Sequence, residues 1–436
     1  MSSPASTAAP TAVPVREVRR IATASFIGTA LEWYDFFLYG TATALVFNKL
    51  FFPNVDPAIG LIASFSTFAI GFIARPVGAL IFGHFGDRIG RKRTLIATVT
   101  LMGTATGLVG LIPSYAAIGL AAPVILAVLR FLQGVSVGGE WSGAMLLTLE
   151  NAPVERHGRY AAIPQLGSPA GTLLSSGAMT VVGLLPDDQF FSWGWRIPFL
   201  AAFVLLGVGL YLRLRVEESP VFKKLVDENR QVRVPLLEAF RRTGGRMAIS
   251  ACVAITGIGA FFLLTTFMIS YVTDTLHVDR SVILNATLLA AVGEAVVIVV
   301  SGWIVEKIGA AKVCVIGGVI GVVLAYPVWA MVDTRDPLLI TIAVAGSISI
   351  LSIPYAPVGA VITKLFPEEY RYSAVSISYN IAGLVGGLVP LIAQDLLNST
   401  GASWPLAIVL ALICAITAAG SFIAMRIRPA GTVAPA

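Results

Sequence analysis

Charge is scarce in this 436-residue chain: Asp, Glu, Lys and Arg make up 12% of it, against about 25% in an ordinary soluble domain. With 56% hydrophobic residues and a mean hydropathy of +0.84, the composition excludes a water-soluble globule. Cysteine is nearly absent. Cys252, Cys314 and Cys414 each stand alone in an apolar stretch, so neither a disulfide framework nor a CxxC metal site is on offer. The histidines His84, His157 and His277 are too scattered for an HExxH-type ligand set, and no metal or cofactor is expected. The lack of a nucleotide-binding P-loop argues against ATP as the driving force, and no nucleophile–base spacing points to an enzyme. No cleavable leader is expected either. Residues 1–20 are rich in Ala, Pro, Ser and Thr, end in Arg16, Arg19 and Arg20, and are expected to form a disordered cytosolic tail. The net charge of +6 would suit nucleic acid, but its distribution points to lipid headgroups instead.

What the chain has in abundance is apolar runs near the ~20 residues that cross ~30 Å of hydrocarbon. Twelve are predicted, at 21–47, 58–83, 94–112, 116–149, 160–184, 194–212, 247–273, 281–304, 312–332, 338–363, 373–395 and 402–425. The expected fold class is therefore an all-α membrane protein with twelve transmembrane helices. Of the 30 Lys and Arg residues, 24 fall on the side of the two termini and only Lys49, Arg280 and Arg335 on the other. Arg75, Arg130 and Arg196 lie within or at the edges of spans. By the positive-inside rule both termini are cytoplasmic, in a cell membrane of the bacterial cytoplasmic type. The break at 213–246, rich in both charge signs, reads as a cytosolic linker between six-helix bundles at 21–212 and 247–425, with 426–436 as a cytosolic C-tail. "GHFGDRIGRKR" (83–93) recurs as "GWIVEKIGAAK" (302–312), an offset of 219 that is close to half the chain. An even number of spans per half makes the two repeats parallel.

Polar residues inside these spans are expensive and mark function by default. In "EWYDFFLYG", Glu32 and Asp35 point within about 60° of each other on a helix, with Tyr39 on the same face. The pair reads either as a proton-exchange device, at least one acid holding a proton, or as a structural tie between helices. Arg130 in the fourth span shares a stripe with Gln133 and Glu140. Its planar fork suits a carboxylate cargo, and it serves equally as a fixed partner for Asp35. Gln165, Tyr355, Tyr379 and Asn380 are candidates to line a substrate cavity or to act as interhelical glue. Glu294, a lone acid in the eighth span, and Glu140 are possible second acidic sites. "PQLGSPAGTLLSSG" (164–177) and "IPYAP" (353–357) predict kinks in the fifth and tenth spans.

The loop "GHFGDRIGRKR" reads as conformational. Gly83, Gly86 and Gly90 permit close helix approach and a tight turn. Asp87 is suited to a helix N-terminus, and Arg88, Arg91 and Arg93 to acids such as Glu150 or Glu217. This loop resembles the signature of the major facilitator superfamily. "EWYDFFLYG", "FIARPVGALIFGHFGDRIGRKR", "RFLQGVSVGGEW", "SWGWRIPFL", "EESP" and "PEEYRYSAVSISYN" resemble its metabolite:proton symporters, the branch of shikimate, α-ketoglutarate, citrate and proline/betaine permeases. The resemblance implies two parallel six-helix repeats (the major facilitator fold) and a latch from Asp87 to the start of span eleven near Arg371 to Ser373. The osmosensing betaine/proline members carry a C-terminal coiled-coil extension that has no counterpart here, which argues against that role. The expected activity is a proton-coupled symporter importing a small carboxylated metabolite by alternating access. Its partners would be the carboxylate or zwitterionic substrate, protons and the bilayer, without nucleic acid, and the working unit a monomer. The rival readings are a proton-driven exporter of metabolites or drugs and a transport-dead membrane sensor.

Overall fold

The computed structural model describes residues 15–54, 57–230, 232 and 234–427. Among them no strand forms, and the helices assemble into twelve membrane segments. The N-terminal half contains α1 (Val15–Ala42), α2 (Pro57–Arg88), α3 (Arg91–Val109), α4 (Ala121–Asn151), α5 (His157–Gln165 continued by Gly167–Val182) and α6 (Arg196–Leu214). The C-terminal half contains α7 (Pro235–Thr275), α8 (Arg280–Ile308), α9 (Ala310–Asp333), α10 (Pro337–Tyr355 with Val358–Ile362), α11 (Arg371–Thr400) and α12 (Trp404–Arg426). By length and apolarity alone nine segments of the described residues qualify as spans. The remaining three are α1 with its three acids, Glu17, Glu32 and Asp35, the short α3 with Arg91, Lys92 and Arg93 at its start, and the divided α5.

Local chemistry sets the breaks. Gly90 (φ 113°) and Gly309 (φ 92°) occupy equivalent places in the two copies of the repeated loop, where a side chain would be strained. Ser219 caps a short linker helix, Pro220–Asp227, by accepting from the Phe222 N–H, and Asp279 and Asp336 cap α8 and α10 in the same way. The helix of α5 breaks at Leu166, between Pro164 and Pro169, and that of α10 at Ala356–Pro357, where kinks were predicted. Two predicted limits shift. Helix α1 starts at Val15, inside the expected tail, while residues 1–14 and 428–436 of the tails lie outside the described residues. The expected 213–246 linker shortens: Arg213 is buried in α6, and α7 begins at Pro235 with a kink at Thr243.

The halves meet along α2 with α11 and α5 with α8, which are equivalent pairs if the repeats are parallel. Rows of exposed aliphatic residues, such as Val292, Val296, Val299 and Val300 on α8 and Leu384, Leu388, Leu391 and Ile392 on α11, form the apolar outer belt that lipid covers. The end of the bundle bearing both described chain ends, the repeated loops and the linker is called the basic face below.

Candidate functional site

Three helices of the N-terminal half deliver one buried polar cluster. Asp35 of α1 accepts from Thr106 Oγ1 of α3 at 2.7 Å, from Arg130 of α4 at 3.1 Å, and from the Gln133 amide. Arg130 sits over the Tyr39 ring at 4.3 Å and the Phe68 ring at 5.0 Å. The Tyr39 hydroxyl donates to Thr67 at 2.9 Å. Gly71 on α2 makes room for this guanidinium, since a Cβ there would collide with the Arg130 side chain. Arg130 Nε and Gln133 Oε1 are buried without hydrogen-bond partners. The cluster is polar, nearly dry and not fully satisfied.

Glu32 does not share it. No hydrogen bond joins the two carboxylates; Glu32 faces Arg75 of α2 at 4.0 Å, and its Oε2 is unpartnered. The expected acidic couple is thus two acids on two guanidiniums, because three residues along α1 are enough to turn from α3 and α4 toward α2. Arg75 was noted in the sequence only as an intramembrane charge. Its fork donates no hydrogen bond among the described residues, and its other neighbour is the Phe72 ring at 5.0 Å. An arginine with Pro76 beside it, deep in an apolar helix, was the available signal. Glu140 departs from the Arg130 stripe as well. Its carboxylate accepts from Thr98 and from Arg213, a residue assigned by sequence to the linker, so it is a packed ion pair and not an acid of the cavity.

The other candidates gather where the halves meet. Gln165 accepts from Trp141 Nε1 at 2.8 Å and donates to the Tyr355 carbonyl at 2.9 Å. Tyr379 stacks on Trp141 at 3.7 Å, and Asn380 donates to the carbonyls of Gly138 and Ser376, each at 2.8 Å. These side chains tie the halves together in this conformation. Tyr355 keeps a buried, unpartnered hydroxyl and lines a small cavity together with Glu294, Ser168, Thr256 and Ser352. Toward the opposite face, Trp33, Phe36, Phe37 and Phe72 of the N-terminal half pack on Phe261 and Phe262 of α7, with Phe36 to Phe262 at 5.3 Å. Part of α7 here is wound as π-turns, Thr256–Ala260 and Leu263–Phe267, a distortion common at functional positions.

The basic face is closed by the repeated loop. Asp87 accepts from the backbone N–H groups of Tyr372 at 3.1 Å and Ser373 at 2.8 Å, at the N-terminus of α11, where its charge suits the helix dipole. Gly83 and Gly86 allow that approach: a Cβ on either would press on Ser373 or the Tyr372 ring. Arg91 lies between Asp87 at 3.3 Å and Glu150 at 3.4 Å, and Glu150 also meets Arg371 at 3.5 Å. Arg88 and Arg93 are exposed, and Arg93 makes no ion pair among the described residues. Glu217 pairs with Lys223, whose hydrogen bond holds the carboxyl below the usual range. Sequence reasoning missed Glu218, whose carboxylate accepts from the Arg91 and Lys92 N–H groups and caps α3 from the linker. In the second repeat the Asp87 equivalent, Glu306, pairs with Arg159 of α5 at 2.7 Å.

Two six-helix halves around a buried polar core, latched at one face, define a multi-pass membrane transporter. Residues 21–233 match the Sugar (and other) transporter family and residues 249–435 the Major Facilitator Superfamily. The inner membrane metabolite transport protein YhjE of Escherichia coli (strain K12) is 38% identical over 406 residues, covering 89% of this chain and 90% of that protein. The shikimate transporter of the same strain is 39% identical over 409 residues, covering 92% of this chain and 93% of that protein. The solved structure of the proton:xylose symporter XylE bound to 6-bromo-6-deoxy-D-glucose superposes with a TM-score of 0.73 over 94% of each chain at 17% identity, a likeness of fold. XylE is also from E. coli. The chain belongs to the major facilitator superfamily, and its relatives are transporters of metabolites, not enzymes.

Proposed function

We propose that the protein is a proton-coupled symporter that imports a small carboxylated metabolite as a monomer, with the basic face and both termini cytoplasmic. The observation that carries this reading is Asp35: a buried carboxylate held between α1, α3 and α4 by Arg130, Thr106 and Gln133. A proton on Asp35 removes the charge that engages Arg130 and frees a guanidinium for an anionic cargo; cargo binding in turn favours that proton. Arg75 supports the same assignment more directly than Arg130 does, because its largely buried fork donates no hydrogen bond among the described residues. Gln133 and Tyr39 then position Arg130, while Gln165, Tyr379 and Asn380 are contacts that must break or shift as the halves part. Asp87, Gly83, Gly86, Gly90, Arg91 and Glu150 serve as the gate, and Arg88 and Arg93 supply the positive-inside charge. The relatives' metabolite transport and the proton coupling stated for XylE are the analogies behind import with protons.

The test is a counterflow screen in proteoliposomes over shikimate, benzoates, dicarboxylates, proline and betaine, followed by an imposed pH gradient. The expected result is accumulation of at least one carboxylate that rises with inward proton drive and is lost in Asp35→Asn. With the same solute, Arg75→Gln should raise KM at least tenfold. Cells that expel the solute faster under the same gradient would make the protein an exporter, and accumulation unchanged in Asp35→Asn would end the coupling scheme.

A further inference from the structure

The cavity between α5, α7, α8 and α10 holds an acid that the scheme above leaves without a task. Glu294 of α8 is 3% exposed, lines this small cavity, and forms no ion pair among the described residues. No other charged residue lines this cavity among the described residues. On α8 itself the nearest charged residue, Glu306, lies twelve residues further on and is paired with Arg159 of α5. Within the cavity α5 presents Ser168, and α7 presents Thr256, Gly257, Phe261 and Leu264. On α9, Cys314 is turned to the Pro354 carbonyl. The titratable neighbour is Tyr355 of α10, whose hydroxyl is buried without a partner. An ionised carboxylate unpaired in such a place is strongly disfavoured, whereas the neutral acid keeps a hydrogen to donate.

We infer that Glu294 is a second proton site, in the C-terminal half, that carries a hydron through the closed state and releases it when the cavity opens to water. The protonated acid and the unengaged hydroxyls of Ser168 and Tyr355 then offer the cargo hydrogen-bond donors without charge, while Thr256 and Ser352, whose hydrogens go to Thr417 and to the Ile348 carbonyl, are left to accept, a set that suits a hydroxylated metabolite better than an ammonium group. The inference rests on the transport reading but on none of the residues assigned to coupling there.

Two measurements on the full-length protein test it. Infrared spectra of the purified wild type at pH 7 should contain a protonated-carboxyl C=O band that E294Q lacks, that D35N retains and that E294D restores. In proteoliposomes with lumenal pyranine, and with labelled shikimate and labelled proline as the two probes, E294Q should move one proton fewer per solute than wild type. An E294Q spectrum identical to wild type overturns the inference, as does an unchanged proton-to-solute ratio. If neither probe is carried by the wild type, the infrared band decides alone. Loss of accumulation in D35N together with an unaltered E294Q would leave the proposed function standing without this second site.

Discussion

Asp35 and Glu140 are both buried carboxylates on guanidinium partners, and their surroundings lead to opposite expectations. Glu140 is fully buried and packed hard: a Cβ at Gly28 would run into both it and Arg213. Removing one partner of such a pair strands a charge, at a cost of about 3–5 kcal/mol. Arg213→Gln should therefore lower the melting temperature of the purified protein by several degrees while leaving the pH dependence of its residual transport unchanged. Asp35→Asn keeps acceptors and donors for Thr106 and Gln133, and Arg130 retains the Tyr39 and Phe68 rings, a cation–π contribution of about 0.5–2 kcal/mol. Its melting temperature should fall less than that of Arg213→Gln, yet accumulation under a pH gradient should vanish. Scanning fluorimetry and vesicle uptake separate the two; a stable Arg213→Gln that no longer couples would reverse the roles given to these acids.

At the scale of the element, α2 works as the lever of the latch because its last turn delivers Asp87 to the N-terminus of α11. Asp87→Asn keeps one acceptor but loses the charge that faces the helix dipole and Arg91, so about 1–2 kcal/mol of closure is lost, a shift of about 5–30-fold toward the open basic face. A cysteine at Ser376, buried against Ser142 of the other half, reports on that shift. In a background without the three native cysteines, alkylation from the basic face should speed up by that factor. Labelling at an unchanged rate would remove Asp87 from the gate. Much of α2 was legible beforehand. Its apolar run, the glycines and the acid at its end follow from composition and spacing, and so does the place of Asp35 and Arg130 among membrane acids and bases. Partner choice was not legible. Helical periodicity tells which face of α1 bears Glu32, but not that α2 brings Arg75 to that face, nor that Arg213 folds back from the linker side onto Glu140. The π-turns of α7 were equally hidden, since "TGIGA" and "LLTTF" read as ordinary apolar helix and the wider turns occur where α7 packs against α10, α11 and α12.

For the molecule as a whole, the two faces differ in the material that closes them, and transport by rocking requires each closure to open once per cycle. The basic face is held by polar and charged contacts across the halves, among them Asp87 to α11, Glu150 to Arg371, and the direct contact of the Ser142 and Ser376 hydroxyls. Toward the other face the seal is aromatic, with Phe36 stacked on Phe262 at 5.3 Å and Trp33 set edge-on to Phe261 at the same distance. A cysteine pair at Ser142 and Ser376 joins α4 to α11 where two side-chain tips already touch. Built in a background lacking Cys252, Cys314 and Cys414, this pair should close on oxidation, cut uptake at least tenfold, and recover on reduction. A pair within one half, such as Ser25 and Thr148 (joined at 2.9 Å between α1 and α4), should leave turnover largely intact, because those helices move together. Uptake that survives the first cross-link would mean that the halves do not part at the basic face during transport, and a block by the second alone would place the moving boundary inside the N-terminal bundle.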